Sequence, residues 1–158
     1  MKEIVTFYLS GKKYGVEVCQ MQGIENFTEM TLAPDMPDCM QGVITVRKET
    51  IPVVDIKKQF VLPAAEITQN TKYLVLRTSQ GKMAVVADGV AKILKVEEED
   101  VQDFPAIVQT KATSYVKFIV KSEGQLILVI NTDAILSAED WGAIQKVLED
   151  METGGNDD

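Results

Sequence analysis

The chain contains 158 residues, of which 46% are hydrophobic and 25% charged, and its formal net charge is −8. This is enough apolar material for one packed domain, or for two small units that share a core, and it argues against a largely disordered chain. No apolar run approaches the ~20 residues of a membrane helix and no signal peptide is apparent, so we expect a soluble, cytoplasmic protein without membrane insertion.

The negative charge is concentrated at the C-terminus. Seven acidic residues and one lysine lie within residues 139–158, a charge of −6, which leaves −2 for residues 1–138. Nucleic acids and anionic membranes are themselves negative and would repel such a segment. We therefore expect no nucleic-acid partner.

Three segments share a pattern that predicts β-hairpins: a β-prone run, a turn containing Ser and Gly, and a second β-prone run. Glycine permits the positive φ that tight turns require. In the first hairpin, apolar residues occupy every second position. The later runs are apolar at both odd and even positions, so both faces of those strands should be covered. The predicted strand pairs are residues 5–9 with 14–18, 73–77 with 82–86, and 116–120 with 125–130.

Between the first two hairpins, residues 42–55 predict two further strands that meet at a charged turn. Pro52 lacks a backbone N–H donor, which favours an edge strand or the beginning of a strand. Residues 62–70 are predicted to be a loop between the two halves of the chain. Short, closely spaced strands with few helices are typical of a β-sandwich or of small β-barrels.

Two helices are predicted. Residues 55–60 are long enough for about one and a half turns. Ser137, with Asp140 three residues later, fits an N-terminal cap, and an apolar stripe behind it predicts a helix that ends near Met151. An acidic, disordered tail, residues 152–158, is expected to follow. The stripe can either close the open end of a barrel or receive a partner helix; it consists of Trp141, Ile144, Leu148 and Met151.

The sequence offers little for catalysis or metal binding. It contains no histidine, which is the usual neutral-pH general base and the commonest metal ligand. No glycine-rich loop opens a helix as a phosphate site requires. Cys19 and Cys39 are too few for a disulfide framework, and we expect both to be small residues that are at least partly buried. We therefore expect a protein that is not an enzyme and has no metal or other cofactor.

Several acidic residues have both a structural and a functional interpretation. Asp55 and Asp88 each follow an apolar run, where they can form paired carboxylates or, more simply, cap turns or the following helix. The acidic run at residues 97–100 lacks the spaced ligands of a calcium loop and is predicted to be the solvated start of a helix.

Arg47 is the charged residue that the sequence singles out. It ends an apolar run beside the predicted turn. It can be an ordinary surface charge whose aliphatic stem lies on the sheet, or an interaction residue whose guanidinium binds a partner carboxylate with two hydrogen bonds. The residues around it leave both interpretations open.

Residues 42–55 resemble the signature of CheW-like domains, which is approximately Gly-Val-x-Asn-Leu-Arg-Gly-x-x-x-Pro-Val-Val-Asp-Leu. Residues 13–18 are similar to the first hairpin of that family, and residues 86–90 to its Val-Val-Asp-x-Val segment. The similarity extends over about residues 3–151. The signature positions that match are Gly42, Val43, Arg47, Pro52, Val53, Val54 and Asp55.

The resemblance implies a mostly β fold in which two small five-stranded β-barrels pack side by side, with a C-terminal α-helix, in one domain of residues 1–151. It also implies a chemotaxis adaptor that couples a CheA-type histidine kinase to the cytoplasmic tip of a chemoreceptor through a groove between the barrels. Arg47 carries over as a receptor-contacting residue. The other partner-binding residues that the resemblance implies are Met21, Ile24, Val43 and Val86.

Several positions depart from the family pattern. Thr45 and Val46 stand in place of Asn-Leu, Lys48 in place of the glycine after the arginine, and Gly23 in place of an expected acidic residue. Residues 117–119 stand in place of the glycines that usually follow Tyr115. Two other functions also stay open on the sequence. One is a divergent CheW-like paralogue that binds another regulator, and the other is a small-ligand-binding protein that uses the groove.

Overall fold

The structure is a computed structural model that describes residues 1–102 and 114–155. Its helices are α1, Ile56–Gln59, and α2, Ala138–Gly155. The strands of the described residues are β1 Lys2–Leu9, β2 Lys12–Glu17, β3 Met21–Asn26, β4 Met40–Val46, β5 Glu49–Val54, β6 Lys72–Thr78, β7 Gly81–Ala87, β8 Gly89–Val96, β9 Val101–Gln102, β10 Val116–Ser122 and β11 Gln125–Ile130.

These strands form two sheets. One has six strands in the order β8-β1-β2-β11-β10-β9, and the other has five in the order β3-β6-β7-β5-β4. The three predicted hairpins are confirmed as the antiparallel pairs β1–β2, β6–β7 and β10–β11, and residues 42–55 contain the predicted pair β4–β5. The first and third hairpins turn through Gly11 and Gly124, whose φ values of 82° and 78° suit glycine.

Apolar side chains fill three regions. The first, which we call the shared layer, lies between the sheets and contains residues of both, such as Phe7 and Leu74. Each sheet also covers a small cluster of its own, around Ile127 in the six-stranded sheet and around Tyr73 in the five-stranded sheet. Strands such as β6 and β7 therefore have two buried faces, as their sequences predicted.

The prediction of two closed five-stranded barrels needs correction. One sheet has six strands, and the pairings among the described residues do not close either sheet. In the five-stranded sheet, the chain after β3 reaches the edge of β4 through one isolated bridge, Thr31 to Val43. It then runs through Pro34 and Pro37, which have no N–H to donate to a ladder. The result is a curled sheet with a seam between its edge strands.

The expectation that Pro52 lies in an edge strand or at the beginning of a strand was wrong, because Pro52 lies inside β5, which has a neighbour on each side. Its partner in β4, Val43, exchanges both backbone hydrogen bonds with Thr31, so Val43 needs no donor from Pro52. Residues 62–70 form the predicted loop, which connects α1 to β6 within the five-stranded half and does not join the two sheets.

Helix α2 begins as predicted, because the Ser137 hydroxyl accepts a hydrogen bond from the Asp140 N–H at 3.1 Å. Trp141 and Ile144 are buried in the shared layer, so the stripe covers that layer rather than the end of a barrel. The helix continues to Gly155, four residues past the predicted end, and residues 156–158 of the expected tail lie outside the described residues. No helix in the described part of the chain is long and apolar enough to cross a membrane.

Asp88 links the two sheets. Its carboxylate accepts hydrogen bonds from the Ser10 N–H, at 2.7 Å in the β1–β2 turn, and from the Lys57 ammonium, at 2.6 Å in α1. Asp55 likewise accepts from the Lys58 N–H at 3.1 Å and caps α1. The interpretation of these two acids as caps and turn residues is therefore confirmed. The acidic run at 97–100 forms a capped 3-10 turn.

Candidate functional site

The β4–β5 turn presents Arg47 to solvent. Val46 pairs with Glu49, so the connection has only two residues, Arg47 and Lys48, with φ values of 49° and 71°. Two left-handed residues are what a type I′ turn requires, but Asn and Gly are favoured there because a larger side chain costs about 1–2 kcal/mol. Arg47 makes no hydrogen bond or ion pair with any residue that the structure describes. Its guanidinium is free to bind a partner.

Arg47 lies where the two edges of the five-stranded sheet approach each other. A small groove contains Arg47 and Glu49 on one side and Gln22, Gly23 and Glu25 of β3 on the other. β3 and β4 are at opposite ends of the strand order, so only the curl of the sheet brings them together.

The groove continues along the seam. A larger space of about 340 Å³ follows, with Thr45 on the β4 side, Thr28 on the β3 side and Tyr73 between them. The Tyr73 hydroxyl donates to the Thr28 carbonyl at 2.6 Å, which fixes this part of the seam. The surface offered to a partner is thus a polar cleft with both charge signs at its mouth.

The five predicted partner-binding residues do not form one patch. Met21 and Ile24 pair with Leu76 and Leu74, whose side chains face the shared layer, so they lie on one face of β3. Met21 is partly buried there, whereas Ile24 is 44% exposed.

The remaining predicted residues lie elsewhere. Val43 is only 3% exposed and belongs to the shared layer, so its side chain is not accessible to a partner in this conformation. Val86 is paired with Tyr73 on the opposite face of the sheet and lines a different cavity, next to α1. Arg47 is thus the member of the set with a free charge, and Ile24 the one with an exposed apolar side chain.

Most of the family-like signature has a structural explanation. A Cβ at Gly42 would lie 2.8 Å from the Thr31 carbonyl oxygen and 2.8 Å from Met30 Cγ, so only glycine fits beside the isolated bridge. Val43, the β4 partner of Pro52, needs no donor from it because Val43 bonds to Thr31, and Asp55 caps α1. Only Arg47 has no structural task among these positions.

The departures from the family pattern fit the fold in different ways. Gly23 has free space, since the one atom within 4 Å of an added Cβ is Glu25 Oε1 at 3.8 Å. Thr45 is exposed opposite Thr50. Lys48 takes a left-handed conformation that glycine adopts without strain, so this departure lowers the stability of the turn.

Sequence reasoning missed the polar residues that share the groove with Arg47, namely Gln22, Glu25 and Glu49. The position of Glu25 could have been inferred from the alternation of a strand, because Gly23 and Glu25 lie on the face of β3 opposite to Ile24. The shift of register between Met21 and Gly23 conceals this pattern, since it places Met21 on the same face as Ile24.

Burial controls the titratable side chains nearby. It raises the pKa of Cys39 to about 11, and the neighbouring Asp140 carboxylate adds to the effect, so this thiol is unreactive. Cys19 is exposed, which corrects the expectation that both cysteines are partly buried. Burial raises the pKa of the Tyr115 hydroxyl, and the interaction with Tyr14 raises it further. No group of three or more His, Cys, Asp or Glu side chains in the described residues could hold a metal ion.

Comparison with known proteins gives a consistent result. A family model described as a CheW-like domain matches residues 3–140. The chain is 28% identical over 138 residues to the chemotaxis protein CheW of Bacillus subtilis, covering 87% of this chain and 88% of the relative. It is 25% identical over 146 residues to the chemotaxis protein CheW of Klebsiella aerogenes, covering 92% and 88%.

The fold is also similar to a solved structure. The scaffolding protein TtCheW from Thermoanaerobacter tengcongensis matches with a TM-score of 0.79 at 24% identity, over 88% of this chain and 94% of that one. At this level of identity the likeness shows a shared fold, with two sheets and a C-terminal helix.

Proposed function

We propose that this chain is a chemotaxis adaptor that couples a CheA-type histidine kinase to the cytoplasmic tip of a chemoreceptor. The chain belongs to the CheW-like domain family. The relatives are chemotaxis proteins, which favours this function over a divergent paralogue or a small-ligand-binding protein. The complex would be cytoplasmic, because the receptor tip is. The chain would work through protein contacts alone, without catalysis or a cofactor.

The observation that carries the proposal is the free guanidinium of Arg47 at the mouth of the seam. A cationic side chain with no partner in its own protein can form a charge-assisted, two-point contact with a carboxylate of a partner. The turn raises Arg47 from the sheet although its left-handed conformation is unfavourable, which fits a residue retained for binding. Ile24, exposed on β3, would add apolar contact area.

The remaining predicted residues have supporting roles in this proposal. Met21 would hold the Ile24 face of β3 against the shared layer, and Val43 would position β4 below the turn. Val86 would contribute through its strand rather than by direct contact, because it lies on the other face from Met21 and Ile24.

The test is a bridging experiment with purified components. The receptor tip is immobilised, the kinase is added with and without this chain, and the retained kinase is measured. We expect the kinase to be retained only when the chain is present, and the chain alone to bind each partner. Failure of the chain to bind either partner would contradict the adaptor function and point to another regulator.

A further inference from the structure

A cavity of about 380 Å³ lies on the five-stranded half of the molecule, between α1, the end of β7 and the loop at residues 61–71. It shares no lining residue with the groove at Arg47. Small-molecule sites typically have volumes of about 300–1,000 Å³ and mainly apolar walls with a few polar groups. The volume of this cavity falls within that range.

The walls of the cavity are largely apolar. Its floor includes Ile56, which is only 2% exposed. The other walls come from separate elements: the segment after β3, the end of β7, and the loop itself. The main apolar contributors are Phe27, Met30, Ile56, Leu62, Ile67 and Val86.

The loop that covers the cavity is fixed at its ends and loosely held in its middle. Leu62 N–H donates to the Lys57 carbonyl at 2.7 Å, and the Ser10 hydroxyl donates to the Pro63 carbonyl at 2.5 Å. Thr68 and Thr71 bond to each other at the far end. Residues 64–67 make no hydrogen bond within the described chain, and Ile67 is 63% exposed.

Val61 sets the direction in which the loop leaves α1. Its φ of 56° belongs to the left-handed residue of a helix C-cap, because the Val61 N–H donates to the Lys58 carbonyl at 3.2 Å and the Leu62 N–H donates to the Lys57 carbonyl at 2.7 Å. The Val61 side chain is 78% exposed and does not line the cavity. The cap therefore ends the helix and starts the loop that covers the cavity.

The charges at the rim indicate the kind of ligand. Lys57 is paired with Asp88, whereas Lys58 keeps its charge, because its ammonium is directed to the neutral Asp38 carbonyl at 3.5 Å. The lining has three carboxylates, those of Asp55, Glu66 and Asp88, and these two ammonium groups, which gives a net charge of −1. Glu66 is exposed and makes no ion pair with a described residue. The net negative charge favours a cation over an anion at this rim.

We propose that this cavity binds a small aromatic or branched aliphatic amine. The apolar part lies against Phe27, Ile56 and Leu62, and the ammonium lies at the rim beside Glu66. The loop closes over the ligand through Ile67. This site is additional to the adaptor function and does not depend on it.

The binding test uses 2-phenylethylamine with protein carrying labelled methyl groups, followed by NMR. We expect saturable shifts at the methyl groups of Ile56, Leu62, Ile67 and Val86. Two probes of similar size serve as comparisons, neutral 2-phenylethanol and anionic 3-phenylpropionate. The amine should bind at least threefold more tightly than the alcohol and at least tenfold more tightly than the acid.

Variants locate the site. Ala65→Trp, at an exposed position of the loop, should fill the cavity and weaken amine binding at least tenfold, whereas the control Ala91→Trp, exposed on β8, should not. Glu66→Gln should weaken it about threefold or more, and the control Glu98→Gln should leave it unchanged. Equal affinities for the three probes, shifts scattered outside the cavity, no shifts at millimolar amine, or full binding by Ala65→Trp would each overturn the proposal. All of these results are independent of kinase and receptor binding.

Discussion

Residues 42–55 contain two regions with opposite properties: strands that are buried and mutually constrained, and a two-residue turn that is exposed and strained. Gly42 and Val53 are held by neighbouring backbone or by packing in the sheet. Arg47 and Lys48 contact solvent in an unfavourable backbone conformation. The signature of the family therefore mostly specifies the fold, and the turn is the part available to specify a partner.

The largest effect on stability is expected in the buried strands. Ile51 is 2% exposed, and Ile51→Ala should lower the free energy of unfolding by about 2–5 kcal/mol, because it leaves a cavity. Chemical denaturation measures this loss. The control Thr50→Ala, at the exposed neighbour, should stay within about 0.5 kcal/mol. Equal effects at the two positions would mean that the strand is not packed as described.

The close approach at Gly42 predicts the next effect. Gly42→Ala places a Cβ against backbone at 2.8 Å, and should destabilise the protein by about 1–3 kcal/mol. Gly142→Ala is the matched control, because Gly142 lies in α2 with nothing within 4 Å of an added Cβ. That change should stabilise the helix by about 0.5–1 kcal/mol. If Gly42→Ala were neutral, the bridge between Thr31 and Val43 would not be as tight as it is here.

The strained turn predicts a stabilising change. Lys48→Gly relieves about 1–2 kcal/mol of strain in the left-handed conformation. Glycine also makes the unfolded chain more flexible, which offsets about 0.4–1 kcal/mol of this gain, so the free energy of unfolding should rise by about 0.5–1 kcal/mol. Thermal and chemical denaturation both report it. Lys12→Gly, in a regular strand, should instead destabilise the protein. A loss of stability in Lys48→Gly would show that the lysine side chain supports the turn.

The smallest expected effect on stability lies outside residues 42–55, at Glu17 in the six-stranded sheet. Burial would raise the pKa of Glu17, but the ammonium groups of Lys117 at 2.9 Å and Lys2 at 3.5 Å outweigh it and lower the pKa below its ordinary value of 4.5. Because the folded pKa is the lower one, the stabilisation is present above the unfolded pKa and is lost as pH falls through the folded pKa.

Glu17→Gln should therefore reduce the melting temperature slightly at pH 7, by the equivalent of under about 1 kcal/mol, and the difference from wild type should shrink below about pH 4.5. The exposed Glu3→Gln variant is the control and should show a smaller pH-dependent difference. A difference for Glu17→Gln that stays constant from pH 7 to pH 3 would contradict the ion-pair explanation.

The sequence predicted the hairpins, the capped helix and the strand pair at 42–55, because turn residues and apolar periodicity are local signals. It did not predict how the five-stranded sheet curls, since the curl brings Thr31 to the edge of β4 at Val43. The same limit applies to the site. Arg47 was found from its place at a turn, but the burial of Val43 and the proximity of Glu25 to Arg47 follow from the curl of the sheet.

The most direct test of the account compares receptor-tip binding and melting temperature in Arg47→Ala and Lys48→Ala. Both residues are cationic, exposed and left-handed in the same turn, so the second variant controls for charge and backbone. Arg47→Ala should weaken binding by about 2 kcal/mol or more, roughly thirtyfold, with an almost unchanged melting temperature, whereas Lys48→Ala should weaken it much less. Equal losses of affinity in the two variants, or unfolding of Arg47→Ala, would contradict the assignment of Arg47 as the binding residue of this turn.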